Sequence, residues 1–559
     1  MTKKKISSLL LTISLVTVLG ACSITDDSAK TEDSQTEEEV YEPEPDPEAS
    51  QISSYNHDFL DDQKAIEKEI QKDYEKGSYN LEDPFVKLDP YDAAPLSALI
   101  IFETEEASSI QLTIGLGKDE EVISKNFDEE KKKHELPVLG LYPDKENTVK
   151  IEATNSRGET EETKIKIKTD ALPQDFMKTE LINTHPENME NGLTFMVPNI
   201  GTLYAVDSNA DVRWYSSIKT RIVFNKLKNG HYLQTAFSEE DENYKYLMER
   251  DFLGKLYHAY NIEVEDYDGQ NIIHHDVVEM ASGNFLATTH EPNSKYVEDH
   301  MHEIDRETGI TTQEMNVRDS FPEKSYTEYD GKNADNNDWL HQNAIWPDDD
   351  GKSILISGRS QDAILKLDYP TGDIEWILAA NEDWPEEYQD YLLEPIGEVD
   401  FPAGQHAVKV IDNPEIEEQE ELKDIILFDN NALITRGDKE ASGQYSQAIR
   451  YRINEKEKTV EQTWDYGKEH GEDFHSSIIG NVQYLYEQDN IILNSGAIDD
   501  EKYGTDRYGK IVEVDALDND SGEIFEVDVY GSGEAAGNYI YRAYRYPLYS
   551  KEWNYELAN

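Results

Sequence analysis

Four residues of the sequence have the types and the spacing to bind and transform an anion: His275, His341, His406 and Arg359. Each histidine stands just before a short apolar, partly β-branched segment, and the three follow one another at nearly equal separations along the chain. Imidazoles gathered in one place can hold a metal ion, act as acid, base or nucleophile, or bind an anion. The pattern alone leaves these three kinds of site open.

Arg359 bears on that choice because it follows the apolar segment 354–356, which comes directly after the segment that begins at His341. A buried cation beside three histidines disfavours a metal ion and favours an anionic substrate. The local sequence equally allows Arg359 to pair with Asp362 instead. We expect the site itself to contain no acidic residues.

A repeated pattern beyond Leu181 supplies the elements that must position these residues. An apolar strand ends in Asp or Asn, a few turn residues follow, and a second apolar strand comes next. Most copies are preceded by a further hairpin of two apolar strands. The six copies have their turns at Asp207, Asp251, Asp305, Asp368, Asn454 and Asp515.

Two hairpins per repeat make a four-stranded antiparallel blade, and blades closed in a ring leave few exposed strand edges. The pattern therefore predicts a six-bladed β-propeller over residues 181–559, and this domain holds the candidate site residues. The histidines begin the first strand of a repeat, which should be the innermost one. They are thus expected to converge at one mouth of the central channel.

The region before the repeats has a different character. Residues 81–175 contain short segments with period-two alternation of apolar and polar side chains, which is typical of half-buried antiparallel strands and predicts a small β-sandwich domain. Residues 61–80 are predicted to be a short helix and linker. The fold class predicted for the whole chain is all-β.

The N-terminus has the features of an export signal. Three lysines precede an apolar run that is too short for a transmembrane helix, so residues 1–21 are predicted to be a lipoprotein signal peptide. Cys22 is the predicted lipidation site, and an ordinary cleaved signal with an incidental cysteine is the alternative. Residues 22–60 are acidic and almost free of apolar side chains, and we expect a disordered tether. The protein would then lie at the extracellular face of the membrane, held by its lipid.

The composition excludes one class of partner. The chain has 52 Lys and Arg against 118 Asp and Glu, a formal net charge of −66. Such a surface repels phosphate backbones, so nucleic-acid binding is not expected. The 34 Tyr, 15 Phe and 7 Trp residues nevertheless favour a folded chain. With one cysteine, the chain can form no intramolecular disulfide.

Several motifs around these residues resemble those of the bacterial arylsulfate sulfotransferases, a family of enzymes that need no nucleotide sulfate donor. The resemblance covers about residues 84–550. The matching segments are HHD at 274–276, DWLHQNAI at 338–345, ILISGRSQDAI at 354–364, TGDIEWIL at 371–378, GQHA at 404–407 and YRAYR at 541–545, with APLSA at 94–98 and GLYPD at 140–144 in the first domain.

The resemblance implies transfer of a sulfuryl group from an aryl sulfate donor to a phenolic acceptor, without a cofactor. His406 matches the family nucleophile, which carries the group as a sulfohistidine between two half-reactions, and such a mechanism predicts ping-pong kinetics. His275, His341, Asn343 and Arg359 match positions that bind the sulfate oxygens. We further expect His341 to protonate the departing phenoxide.

Some details stay open at this point. His274 could exchange roles with His275, and a family hydroxyl contact could fall on Ser476 or Ser477. The family's pairing through its first domain suggests a homodimer. Better-known members are soluble periplasmic proteins with a disulfide near the site, which this chain cannot form. The alternatives are a non-catalytic propeller that binds a sulfated or other anionic ligand, and a sulfatase that uses the histidines to hold a metal ion.

Overall fold

The computed structural model describes residues 41–558, except for residues 175, 200, 239–242, 265–270, 293, 383, 415, 417–418, 433, 435–438, 518–521 and 532–538. The predicted signal peptide, Cys22 and the tether up to residue 40 lie outside the described residues. The prediction of an all-β chain is confirmed. Two α-helices accompany the strands of the described residues, namely His57–Tyr74 (α1) and Glu323–Thr327 (α2).

The second part of the predicted tether is ordered in the structure, which corrects that expectation for residues 41–60. Strand β1 (Ser53–Tyr55) pairs antiparallel with a propeller strand, Leu256–Ile262. The backbone N–H of Asp46 donates to the carbonyl of Thr312 at 2.8 Å. The composition of this segment gave no sign of order because its hydrogen bonds go to residues far away in the chain.

Helix α1 begins four residues earlier than the helix predicted from the apolar spacing. The Asn56 side chain caps it by accepting a hydrogen bond from the N–H of Phe59 at 3.1 Å. The buried Ile70 packs on the core beside Tyr91, and Glu67 pairs with Lys255 of the propeller at 2.8 Å. The helix therefore packs against both folded regions.

The N-terminal domain is one five-stranded antiparallel sheet in which β3 pairs with three other strands. The strands are β2 (Phe85–Leu88), β3 (Ser97–Ile114), β4 (Ile123–Leu139), β5 (Glu146–Asn155) and β6 (Thr160–Lys168). The register of β3 shifts between Glu103 and Ser108, and side chains from both halves of the strand share one core. On the other face of β3, Leu99 and Ile101 pack against the propeller. Both faces are apolar because both are buried.

Beyond the N-terminal domain, the described residues form six sheets, each built on four antiparallel strands, which in sheets 2 to 6 follow in sequence order from the inside outwards. Sheet 1 contains β8 (Leu193–Pro198), β9 (Gly201–Val206) and β10 (Val212–Thr220). Sheet 2 contains β11 (Phe224–Lys226), β12 (Tyr232–Phe237), β13 (Tyr244–Arg250) and β14 (Leu256–Ile262). Sheet 3 contains β15 (Ile273–Glu279), β16 (Phe285–Thr289), β17 (His300–Ile304) and β18 (Thr311–Asn316).

The remaining sheets follow the same order. Sheet 4 contains β19 (Gln342–Asp348), β20 (Ser353–Gly358), β21 (Ala363–Asp368) and β22 (Ile374–Leu378). Sheet 5 contains β24 (His406–Ile411), β25 (Leu422–Asp429), β26 (Gln447–Asn454) and β27 (Thr459–Tyr466). Sheet 6 contains β28 (Asn481–Leu485), β29 (Asn490–Ile498), β30 (Tyr508–Asp515) and β31 (Glu523–Tyr530). Three sheets gain an outer fifth strand: β1 on β14, β7 (Lys178–Thr184) on β31, and β23 (Glu394–Pro395), which is parallel to its neighbour, on β27.

Strand β32 (Ile540–Tyr546), near the C-terminus, is the innermost strand of sheet 1 and so closes the ring. The first strands of sheets 2 to 6 contact one another in order, and the rings of Phe224 and Tyr544 bring β11 against β32. The six turns that the repeat predicted all lie between the third and fourth strands of a sheet. The number of six blades stays a prediction, which these six sheets around one channel support.

None of the helices formed by the described residues is both long and apolar enough to cross a membrane.

Candidate active site

The three predicted histidines lie at corresponding places on neighbouring inner strands. His275 is in the first part of β15, His341 immediately precedes β19, and His406 begins β24. The pairing of each of these strands with its neighbour shifts register at that point, as in a β-bulge. Bulges re-aim side chains and are frequent beside active sites. The three imidazoles thereby point away from the regular hydrogen-bonded pairing of their strands.

The backbone around the site is held in conformations that side chains rarely adopt. His341 and Ala407 have positive φ angles of 53° and 58°, and Ile222 has a φ of 53° although it is β-branched. Such residues persist only where the surrounding structure fixes them, and they concentrate at functional sites.

One cavity of about 320 Å³ lies at the mouth of the channel. His275, His341, Arg359 and His406 all contribute to it, as the sequence predicted. Its volume is at the small end of the ~300–1,000 Å³ that is usual for ligand pockets. The cavity therefore suits a ligand about the size of one substituted aromatic ring.

The hydrogen bonds of His406 determine which ring nitrogen faces the cavity. Its Nδ1 lies 2.6 Å from Oδ1 of Asn430. Asn430 Nδ2 donates to the carbonyls of Ser476 and Ile479 at 2.8 and 2.9 Å, which fixes its Oδ1 as an acceptor. His406 must then carry its proton on Nδ1, so Nε2 holds the free lone pair.

His406 is also kept neutral. Burial lowers its pKa well below the usual value, and the positive charges of Arg359 and His341 lower it further. A neutral imidazole with a free Nε2 lone pair has the form that a nucleophile requires.

His341 has the opposite environment, because its Nδ1 lies between two carboxylates. Asp338 Oδ2 is 2.6 Å away and Glu298 Oε2 is 2.7 Å away. Burial by itself lowers the pKa of His341, but these two acids outweigh it and raise the pKa to about 9. His341 is therefore a cation near neutral pH. The expectation of a site without acidic residues was wrong.

His275 is neutral and takes part in a chain of hydrogen bonds with His274. His274 Nε2 donates to the carbonyl of Thr289 at 3.1 Å, so its Nδ1 accepts the proton of His275 Nδ1 at 2.8 Å. Burial, and then the charge of His341, lower the pKa of His275. His275 Nε2 is left as an acceptor, and His274, which does not line the cavity, lies behind it.

Arg359 follows β20 in a short 3₁₀ turn, Arg359–Gln361, and is 7 % exposed. Among the described residues, no carboxylate lies within ion-pair distance of its guanidinium. The alternative pairing with Asp362 does not occur, since Asp362 Oδ1 accepts hydrogen bonds from Lys332 Nζ and from the N–H of Gly404, both at 2.8 Å. Arg359 is thus a buried cation whose charge is available to an anion in the cavity.

Asn343 and the two serines are placed differently from the expectation. Asn343 is fully buried outside the cavity lining, and its Nδ2 donates to the carbonyl of Gln405 at 2.8 Å. This bond holds the peptide just before His406. Ser476 Oγ donates to the carbonyl of Ile479, and Ser477 Oγ donates to Asp499. Neither serine lines the cavity.

Sequence reasoning missed four residues of the site. Tyr541 lines the cavity, and its buried hydroxyl has no hydrogen-bond partner among the described residues. Burial raises its pKa, so the hydroxyl stays protonated and can donate. Glu298, Asp338 and Asn430 orient the histidines. Only Asp338 and Tyr541 lie within motifs that the sequence singled out, whereas Glu298 and Asn430 come from distant loops.

Below the cavity the channel is filled by an ion pair. Nη1 and Nη2 of Arg542 donate to the Asp276 carboxylate, at 2.9 and 3.2 Å. Nη2 also donates across the channel to the carbonyl of Asn343 at 3.0 Å. Asn225 Nδ2 donates to Asp276 at 3.0 Å. Three side chains and one backbone carbonyl thus join four of the six inner strands here.

Two groups of residues at this site have a geometry that a metal ion could use. They are His274, His275 and Glu298, and Glu298, Asp338 and His341, with the ligand atoms of each group within 4.8 Å of one another. In the second group the His341 cation already lies between the two carboxylates. A metal ion there would have to displace the His341 proton.

The sequence also matches known families over most of its length. Residues 178–542 match the arylsulfotransferase family (ASST), and residues 85–170 match the arylsulfotransferase Ig-like domain. The chain belongs to the arylsulfotransferase family. Membership identifies it as a sulfotransferase, and the resemblance seen in its motifs is confirmed.

Two relatives match this chain over most of its length. An arylsulfate sulfotransferase AssT of Lelliottia amnigena is 24 % identical over 534 residues, and one of Escherichia coli O6:H1 is 22 % identical over 550 residues. In each case the match covers 77 % of this arylsulfotransferase and 88 % of the relative. Among solved structures, dihydro-heme d1 dehydrogenase NirN matches with a TM-score of 0.30 and 10 % identity, covering 69 % of this chain and 72 % of that one.

Proposed function

We propose that this arylsulfotransferase transfers a sulfuryl group from an aryl sulfate to a phenol in two half-reactions, through a sulfohistidine at His406. The observation that carries the proposal is the contrast between His406 and His341 within one cavity. The first is neutral with a free Nε2 lone pair, and the second is a cation held by two carboxylates. A nucleophile and an acid are thus present together at neutral pH.

In the first half-reaction, the Nε2 lone pair of His406 forms a bond to sulfur while the bond between sulfur and the aryl oxygen breaks. The electron pair of that bond leaves on the phenoxide, and His341 supplies the proton that makes it a phenol. Arg359 offsets the negative charge of the transferring group. The products are a free phenol and a sulfuryl group on His406 Nε2.

In the second half-reaction, the oxygen of the acceptor phenol attacks sulfur and its proton passes to His341, which was left neutral beside Glu298 and Asp338. The electron pair of the N–S bond returns to His406 Nε2. His341 therefore acts as an acid and then as a base, as microscopic reversibility requires. His275, whose Nε2 can only accept, is placed against the phenol hydroxyl rather than against a sulfate oxygen.

The sulfate contact implied for Asn343 stays a prediction, and for His275 the proposal replaces it by the contact with the phenol hydroxyl. The structure favours a positioning role for Asn343, because its Nδ2 holds the peptide before His406. Lys332 has a similar positioning role. It pairs with the Asp362 carboxylate, which also accepts a hydrogen bond from the N–H of Gly404, two residues before His406.

The test is an assay with 4-nitrophenyl sulfate, with and without phenol. With donor alone, we expect one equivalent of nitrophenol to be released quickly and turnover then to slow, since the sulfuryl group has no acceptor. Added phenol should restore steady turnover, with parallel lines in a plot of reciprocal rates at several phenol concentrations. Intersecting lines would contradict the two-step scheme.

The second candidate is a metal-dependent sulfatase, which the grouping of His274, His275 and Glu298 favours. The two functions differ in their response to a chelator. We expect the transfer rate after treatment with EDTA to remain within about twofold of the untreated rate, because the acid and the nucleophile are protein groups. Activity that disappears with EDTA and returns with zinc would assign the sulfatase function instead.

Tyr541 gives a further prediction within this mechanism. Its unpartnered hydroxyl donates to an oxygen of the transferring sulfuryl group, so Tyr541→Phe should lower kcat about 10²-fold with little change in KM. Tyr539→Phe, at another residue lining the same cavity, is the matched control. Steady-state kinetics checks both variants. An equal loss in the two, or a loss confined to KM, would remove this role for Tyr541.

We also propose that the mature protein is anchored by lipid on Cys22 at the outer face of the membrane. The proposal rests on the lysine-rich start, the apolar run and the single cysteine. Cys22→Ala should move the protein from the membrane fraction to the medium, as seen by immunoblot of both fractions. Retention of the variant in the membrane would contradict it.

A further inference from the structure

The propeller channel has a second cavity at its other mouth. The histidine cavity is lined by residues at the starts of all six inner strands, whereas this one, of about 530 Å³, is lined by residues at their ends. The inner strands run in the same direction, so the two cavities lie at opposite ends of the channel. The buried Arg542 and Asp276 pair lies between them. No step of the sulfuryl transfer uses this second cavity.

Two lysines of this cavity, Lys226 and Lys409, lie against aromatic rings. Lys409 Nζ lies 4.5 Å from the centre of the Tyr544 ring and 5.6 Å from that of Trp346, and Lys226 Nζ lies 5.4 Å from that of Tyr546. Among the residues described, no carboxylate oxygen is within 4.0 Å of either nitrogen. The described carboxylates thus leave the two amines unpaired, in a chain with a net charge of −66.

Both amines are also poorly hydrated. Burial, and then the charge of Arg542, lower the pKa of Lys409 to about 7, although Asp276 acts in the opposite direction. Burial lowers the pKa of Lys226 as well, against the effect of Glu552. An anion between these amines would stabilise their charged forms.

Three of the five acidic residues that line the cavity pair with other cations, and the other two, Asp350 and Asp412, lie more than 4.0 Å from the nitrogens of Lys226 and Lys409. Asp348 and Asp349 pair with Lys366 and Lys423, and Glu279 pairs with Arg306. The carboxylates that line the cavity therefore do not neutralise its two lysines.

The rest of the lining is suited to an aromatic ring. Trp346, Tyr484, Tyr486 and Tyr546 contribute to it, and the Tyr486 side chain is 53 % exposed. We propose that this cavity is a second binding site, separate from the histidine cavity, for an aromatic molecule that carries one anionic group such as a sulfonate or a carboxylate. The anionic group lies between Lys226 and Lys409, and the ring stacks on the tyrosine and tryptophan side chains.

The experiment measures whether a ligand protects Lys409 from acetylation in the full protein. The probe is naphthalene-1-sulfonate, whose sulfur is bonded to carbon and cannot be transferred. Limiting acetic anhydride labels accessible neutral amines, and peptide mass spectrometry gives the labelled fraction at each lysine. We expect the probe to reduce labelling of Lys409 at least fivefold, while the fully exposed Lys118 is labelled as before.

Two small molecules test the ligand class. Methanesulfonate has the charge without the ring, and 2-naphthylmethanol has the ring without the charge, so neither should protect Lys409 at the same concentration. Equal protection by methanesulfonate would overturn the aromatic part of the proposal, and equal protection by the alcohol would overturn the anionic part. Labelling of Lys409 that the probe leaves unchanged would overturn the site.

Variants test whether the site is separate from the catalytic one. Protection of Lys409 should persist in His406→Asn and in Arg359→Ala, and its loss in either would show that the probe acts through the histidine cavity. Lys226→Gln should weaken binding of the probe about tenfold in the same assay, while the rate of sulfuryl transfer remains normal. An unchanged affinity in Lys226→Gln would contradict the paired-lysine site.

Discussion

His406→Asn abolishes both half-reactions, and we expect the rate of sulfuryl transfer to fall at least about 10⁴-fold. Asparagine keeps a polar side chain of similar length opposite Asn430 but has no nucleophilic nitrogen lone pair. The fold should survive, because His406 makes its one side-chain hydrogen bond in the described structure to Asn430. Rapid-quench assays with 4-nitrophenyl sulfate measure the first half-reaction, and assays with added phenol measure the second.

Trapping identifies the residue that carries the group. Wild-type protein given donor alone should show one added sulfuryl group on the peptide that contains His406, and phenol should remove it. His470→Asn, at a partly exposed histidine outside the cavity, should behave as wild type. Normal transfer by His406→Asn, or a sulfated tyrosine or serine in the wild-type protein, would rule out the proposed mechanism.

His341→Asn should slow loading by about 10²- to 10⁴-fold for phenyl sulfate, because the departing phenoxide then leaves without a proton. The loss should be much smaller for 4-nitrophenyl sulfate, since nitrophenoxide is a stable leaving group. Single-turnover rates with the two donors measure this difference. An equal loss with both donors would assign His341 to charge stabilisation and not to proton transfer.

The pH dependence follows from the same group. His341 acts in its protonated form, and its pKa is raised to about 9, so the loading rate should be level at neutral pH and fall as the pH rises through about 9. Asp338→Asn removes one of the two carboxylates and should move that fall to lower pH. His185→Asn, at an exposed histidine far from the cavity lining, is the control. An unmoved alkaline limb in Asp338→Asn would contradict the assignment.

The sequence predicted the convergence of His275, His341 and His406 because one repeat determines where each inner strand begins. A periodic pattern reports strand positions and so indicates which residues share a channel mouth. It does not report the loops that cross between sheets. Glu298 comes from the loop between β16 and β17, and Asn430 follows β25, and neither is near its histidine in the chain.

The protonation states could not be predicted for the same reason. The three histidines look equivalent in the sequence, yet one has two carboxylates beside it, one an amide and one a second imidazole. Their different pKa shifts arise from partners that only the folded chain supplies. Likewise, the polar segment 41–60 gave no sign of its order because its strand pairs with β14, some two hundred residues away.

The ion pair of Arg542 and Asp276 lies in the channel between the histidine cavity and the other mouth. A cavity of about 320 Å³ leaves little room for the departing phenol and the arriving one at once. The proposed sulfohistidine would keep the sulfuryl group on the enzyme while the two phenols change places. The released phenol and the acceptor phenol then compete for the same place in the histidine cavity. Each phenol should therefore inhibit the reaction that consumes the other.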